Sequence, residues 1–238
     1  TCQEMAGVSF SITKLDAELG FHHHVAGWKQ MLEEGQFACV HAVGYPNPNF
    51  SHFESTNVWM IGDTRGKQIP YGWVGRACEA GFPNSADPKL AVAIGPNNGA
   101  ALALRGPRHA GILCDKPESF GYSGDKNAEQ SVAYRKLNMA GDKTMGSGLE
   151  WVTRTAITAN AAAEEISRLG VAYKPKVEYP DTPYGRNLRT IAGLIVGGLS
   201  PRIYWTGRDG LLEFDTHSNQ RPKHDNLLKE LNDALLAF

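Results

Sequence analysis

Phe37–Ile61 reads FACVHAVGYPNPNFSHFESTNVWMI. Its first part, Phe37–Val43, is an apolar run of the kind that forms a buried strand. A Pro/Asn-rich turn follows from Gly44, and Phe53–Ile61 then carries the spacing of a helix. The stretch therefore reads as a strand, loop, helix unit with its polar residues at the strand's C-terminal end. Ligands of open α/β sheets bind at such ends.

Outward from this unit, helical patterns alternate with short β-rich runs, which predicts an α/β layered domain with a largely parallel sheet. Upstream, Val25–Glu34 reads as a helix ended by Gly35. Downstream, Asp63–Pro117 changes to Gly/Pro-rich connections around two apolar runs, Leu90–Ile94 and Ala100–Leu104. We read this as an insertion or lid over the sheet, reaching to about residue 125, within a single domain covering residues 1–238. Helices are predicted over Lys126–Met139 and Leu149–Leu169, both as packing elements. Tyr179–Tyr184 (YPDTPY) is a turn cluster, and Pro183 suits the first position of a helix running to about Val196. Pro201–Thr206 supplies a strand. In the closing run, Leu227, Leu228, Leu231, Ala234, Leu235 and Phe238 share one helical face, expected to pack on the sheet.

Composition bounds the function. With 24 Lys+Arg against 25 Asp+Glu and no dense basic run, the chain has no excess charge for gripping a phosphate backbone, so no nucleic-acid partner is expected. The longest span candidate, Ile191–Leu199, is nine residues with three glycines, far short of a bilayer crossing. No membrane span is expected. The cysteines Cys2, Cys39, Cys78 and Cys114 lie about 36 to 39 residues apart with no CxxC pair, which favours buried free thiols over a zinc or redox site. The chain opens at Thr1 without methionine and stops at Phe238 inside a helical pattern. We expect it to be part of a longer protein.

Ser51 follows a turn stiffened by Pro46 and Pro48 and precedes a helix whose N–H groups can stabilise an anion. It can serve as a nucleophile towards phosphorus or sulfur, or as an N-cap with Glu54 completing a capping box. The two roles are compatible. His52 can be a base, a ligand or a surface residue, and Ser55 is a weaker nucleophile candidate. Asp215 and His217, in FDTHSNQ at Phe214–Gln220, point to one side of an extended segment and can converge on one cation. A carboxylate with a neutral imidazole suits zinc, manganese or a similar divalent ion. Two ligands are too few for tight binding, and His224 is weighed as a third or as an exposed helix-start residue. The run His22, His23, His24 reads as a partly solvated helix start rather than a metal site, and Asn97, Asn98 and Gly99 as a turn. There is no GxGxxG, Walker loop, GxSxG elbow or C-x-P-x-R sequence, which excludes dinucleotide, P-loop and ordinary serine-esterase readings and disfavours a formylglycine sulfatase.

Several motifs occur together: GYPNPNFSHFEST, GW-x-GR at Gly72–Arg76, LALRG at Leu102–Gly106, and YPDTPYGRNLRTIAGLI followed by DTHSNQ-x3-H-x2-LL-x-EL. From about Leu19 to Phe238 the chain thereby resembles a large bacterial family of uncharacterised, often twin-arginine-exported proteins, grouped with the alkaline phosphatase and sulfatase superfamily. The resemblance implies a doubly wound α/β fold with a mostly parallel sheet and a divalent-metal site, usually of two ions, at the strand ends. It implies Ser51 as nucleophile beside His52, Asp215 and His217 as ligands of zinc, manganese or calcium, and a periplasmic or exported location. The substrate class implied is a small-molecule or glycan phosphate or sulfate ester.

Two departures from the family pattern stand out. Gly210–Phe214 reads GLLEF where the family tends to place a glycine pair before the aromatic. The family's Gly-rich Asp segment and its Asp-His pair beyond the last helix are not found in these 238 residues. The chain is expected to hydrolyse poorly alone, the parent protein being the hydrolase. The alternatives carried alongside are a non-catalytic exported binding protein that keeps the fold and a phosphosugar mutase-like enzyme.

Overall fold

A computed structural model of the chain describes residues 12–16, 19–65, 69–85, 87–96, 99–108, 110–121, 127–140, 147–207 and 214–238. In chain order its elements are strands β1 (Ile12–Lys14) and β2 (Gly20–His22), helices α1 (Trp28–Glu33), α2 (His52–Ile61) and α3 (Trp73–Gly81), strand β3 (Ala91–Ile94), helix α4 (Ala100–Leu104), strand β4 (Ile112–Cys114), helices α5 (Ala128–Ala140), α6 (Ser147–Ala172) and α7 (Pro183–Val196), strand β5 (Ile203–Thr206) and helix α8 (Gln220–Ala237). Short 3-10 turns lie at His23–Val25, Pro88–Leu90 and Pro117–Ser119. The class is α/β. Contacts divide the chain into two compact units, 1–48 with 176–189 and 210–238, and 49–175 with 190–209. We call them the first and second units.

The second unit holds a parallel three-stranded sheet in the order β4-β3-β5. Central β3 is AVAI, an unbroken apolar run with every residue buried, as a parallel strand covered on both faces requires. Strand alternation sends Ala91 and Ala93 to one face and Val92 and Ile94 to the other. The first pair joins a core with Val74, Cys78, Leu90, Ala100, Ala103 and Leu104. The second pair is 0 % and 1 % exposed. Thr206 Oγ1 donates to the Ile94 carbonyl at 2.9 Å, tying β5 to β3 beyond the ladder.

The glycines of GW-x-GR explain that motif. A Cβ on Gly72 would lie 2.0 Å from the Leu102 carbonyl oxygen, and one on Gly75 would lie 2.3 Å from the Arg105 carbonyl carbon. Both glycines let α3 touch the backbone at the end of α4, where Gly72 N–H donates to the Arg105 carbonyl at 2.9 Å. Arg76 of the same motif donates from Nη1 to the Tyr71 carbonyl at 2.8 Å, holding the α3 entry.

In the first unit β1 and β2 pair antiparallel, with Ile12 opposite His22. Phe21, Trp28 and Phe37 form an aromatic cluster with ring centroids 5.1 to 6.3 Å apart. The closing helix α8 packs against the His23–Val25 turn. Its Leu227 and Ala234 are buried, and a Cβ on Gly27 would lie 2.8 Å from Leu236 Cδ1. Thr182 caps α7 by accepting the Gly185 N–H at 3.2 Å, and Pro183 occupies the first helical position as its fixed φ favours.

Three expectations change. Phe37–Val43 is not a strand: it has no ladder partner among the described residues, Ala42 sits at φ +54°, and Val40 is 78 % exposed. An apolar run becomes a strand only where a neighbour takes its N–H and C=O groups. The stretch read as an insertion or lid supplies β3 and β4, two strands of the sheet itself, and every residue of β3 is buried. The parallel sheet has three strands, and β1 and β2 form a separate antiparallel pair, so the single largely parallel sheet is only partly realised.

Candidate functional site

Ser51 is the N-cap of α2, with extended backbone at φ −72° and ψ 122°, and its carbonyl accepts the Ser55 N–H at 2.9 Å. Its side chain makes no capping hydrogen bond, so the capping box with Glu54 does not form. Asn49 organises the helix start instead. Its Oδ1 accepts the Ser51 N–H at 2.7 Å in an Asx-turn, and its carbonyl accepts from Ser55 Oγ. The serine hydroxyl is thereby left at the positive end of the helix macrodipole without a structural duty there. His52 is the first residue of α2 and is exposed.

Asp215 and His217 meet. His217 Nε2 lies 3.1 Å from Asp215 Oδ2, with the carboxylate half-buried and the imidazole 80 % exposed. Between them the Thr216 N–H donates to the Phe214 carbonyl at 3.1 Å, a tight bend that turns both flanking side chains to one side. The Thr216 hydroxyl is buried with no hydrogen-bond partner among the described residues. An oxygen and a nitrogen at this separation match neighbouring ligands of one ion with bonds of about 2.0–2.2 Å. The pair therefore fits a divalent metal as two of its ligands.

Ser51 and His52 belong to the second unit, Asp215 and His217 to the first. His224, weighed as a third ligand or an exposed residue, is half-buried, and its ring lies perpendicular to His22 at 6.3 Å and to Phe214 at 5.7 Å. The His22–His24 run is partly solvated, as its place before a helical turn suggested. Cys78 and Cys114 are buried free thiols, and burial pushes the Cys114 thiol up to about 12. Cys39 is free and exposed, contrary to expectation, because the strand that would have buried it does not form. Cys2, Asn97, Asn98 and the Gly210–Glu213 part of GLLEF lie outside the described residues.

Sequence reasoning also passed over a cleft of about 340 Å³ in the second unit, lined in part by Tyr134, Arg135, Asn160, Glu164, Ser167 and Arg168. These residues sit on α5 and α6, read as packing helices. Arg135 and Glu164 pair across the cleft at 3.2 Å. The signal was a polar stripe recurring at helical spacing on α6, Asn160, Glu164, Ser167 and Arg168, within an alanine-rich helix.

Among the described residues no helix is long and apolar enough to cross a membrane. Comparisons of the chain with protein-family models, with curated proteins and with solved structures return no match.

Proposed function

We propose that the protein is a metal-dependent hydrolase of phosphate or sulfate esters, with Ser51 as nucleophile, His52 as its base, and Asp215 and His217 as ligands of a divalent ion. The 3.1 Å pairing of Asp215 with His217 in a bent D-x-H segment carries this reading. The uncapped hydroxyl of Ser51 at the start of α2 supports it. The alkaline-phosphatase-like doubly wound arrangement and a periplasmic location, both implied by the motif resemblance, belong to the same proposal.

The residues would divide the work as follows. Ser51 Oγ gives its proton to the His52 imidazole and forms a bond to the phosphorus or sulfur, while the bond to the leaving oxygen breaks. The departing oxygen takes a proton to leave as alcohol or phenol. Water then attacks the phosphoserine or sulfoserine, releasing inorganic phosphate or sulfate and restoring the hydroxyl. The first-turn N–H groups of α2 face the charge that develops on the non-bridging oxygens. A divalent ion held by Asp215 and His217 would supply Lewis-acid charge neutralisation.

Hydrolysis of aryl phosphate and aryl sulfate with added zinc, manganese or calcium tests the proposal. Activity in the wild type that Ser51→Ala leaves intact overturns the nucleophile assignment.

The high exposure of the His217 side chain favours a second reading, a binding protein that holds its ester ligand without turnover. Ligand binding without product release, unchanged by added metal, is the outcome that selects it.

A further inference from the structure

Four imidazoles gather in the first unit. Ring centroids are 4.2 Å apart for His22 and His23, 4.0 Å for His23 and His24, 5.3 Å for His22 and His24, and 6.3 Å for His22 and His224. His22 sits at the centre and makes two directed contacts. Its Nδ1 accepts the His24 N–H at 3.3 Å, capping the His23–Val25 turn. Its Nε2 lies 3.3 Å from Asp225 Oδ1 on α8. A ring nitrogen that accepts a backbone N–H carries no proton, so His22 is the neutral tautomer with its hydrogen on Nε2, facing the carboxylate. One imidazole thus joins the turn to the helix that docks on it.

We propose that His22 is an acid-sensitive latch: protonation at Nδ1 uncaps the His23–Val25 turn and loosens α8. The added hydrogen would confront the His24 N–H, turning an accepted hydrogen bond into an opposition of two donors. The new charge would also stand among His23 and His24 on its own turn and His224 on α8. Asp225 attracts that charge, but its second oxygen already faces Arg221 Nε at 3.9 Å. From β1 the residue opposite His22 is Ile12, which carries no charge. Farther along α8, Asp233 is held by Lys229, with a weaker pull from His24. No second carboxylate is recorded against His22 among the described residues.

Burial, followed by the His23 charge and then those of His24 and His224, holds His22 below the usual histidine value against the opposing pull of Asp225. The sign follows. A group whose folded pKa is depressed adds its stability above its unfolded value, about 6.5, and loses it as pH falls below that towards the folded value. Docking of α8 is therefore firm at neutral pH and weakens in acid. The docking surface is well defined, since Val25, Leu227 and Ala234 are buried there and Leu236 lies against Gly27. Because α8 begins three residues after His217, its release also frees the segment carrying Asp215. The latch itself does not require that segment to hold metal.

Hydrogen exchange of the full chain at pH 7.5 and pH 5.0, corrected for intrinsic exchange rates, tests the latch. Protection of α8 amides should fall about threefold or more in the wild type, since local opening follows the lost stability. In His22→Gln, whose amide keeps an acceptor and a donor but does not titrate in this range, it should hold within about 1.5-fold. Unchanged protection in the wild type, or an equal fall in the variant, overturns the proposal. Titration of the wild-type His22 ring by NMR provides an independent check. A midpoint below 6.5 supports the latch, and one at or above it contradicts it.

Discussion

Asp215 and His217 are separated by a single residue, yet His217 Nε2 reaches to 3.1 Å from Asp215 Oδ2 because the chain bends tightly at Thr216. An exposed ion pair of this size contributes little to stability, about 0–1 kcal/mol. The contact is better understood as convergence of two donor atoms than as a brace for the fold. Replacing either residue should leave the folded state nearly unchanged and alter what the segment binds.

The same separation of stability from function applies to Ser51. Its side chain makes no cap bond, so Ser51→Ala should shift folding stability by less than about 0.5 kcal/mol, against the roughly 1 kcal/mol expected for loss of a working N-cap. Turnover should fall about a thousandfold or more if the hydroxyl is the nucleophile. Urea denaturation and ester hydrolysis measured on the same preparation separate the two effects.

Asn49→Ala should behave in the opposite way. It removes the acceptor of the Ser51 N–H, so α2 should lose about 1 kcal/mol of stability while the hydroxyl remains. A stability loss in Ser51→Ala together with none in Asn49→Ala would reverse the assignment of the cap.

Gly75→Ala should destabilise the protein by about 1–3 kcal/mol, because its Cβ would collide with backbone at 2.3 Å that no side-chain rotation can relieve. Gly81, at the end of the same helix, has nothing within 4 Å of the equivalent Cβ. Gly81→Ala should therefore be neutral or stabilising by up to about 1 kcal/mol. Chemical denaturation of the two variants side by side checks the α3–α4 contact.

A Cys2→Ser protein should expose one rapidly reacting thiol in the native state, Cys39, with Cys78 and Cys114 reacting only on unfolding. Burial and the raised value of about 12 for Cys114 keep it protonated at neutral pH. Three thiols reacting at equal rates in native buffer would contradict the exposed path of Phe37–Val43.

The parts of the molecule legible in its residues are those that local punctuation marks. Helix α7 was read almost to the residue because Thr182, Pro183 and a polar turn punctuate its start. Strand β5 was legible as a short apolar run bounded by turn residues, whereas the run that forms β3 was seen but assigned to an insertion or lid. Phe37–Val43 misled because periodicity measures how well side chains would suit a sheet and says nothing of whether a partner strand arrives. The Gly/Pro-rich region misled for a related reason. Its glycines mark close backbone contact between α3 and α4, which in sequence looks like loop composition. At the candidate site the D-x-H spacing exposed Asp215 and His217, whereas the role of Asn49 depends on an Asx-turn that only backbone geometry reveals.

Calorimetric titration of the full chain with zinc or manganese tests the central claim most directly. The account predicts saturable binding that Asp215→Asn and His217→Ala each weaken by at least about tenfold, some 1.4 kcal/mol, with the fold intact by circular dichroism. Absence of binding in the wild type, or wild-type affinity in both variants, would contradict it.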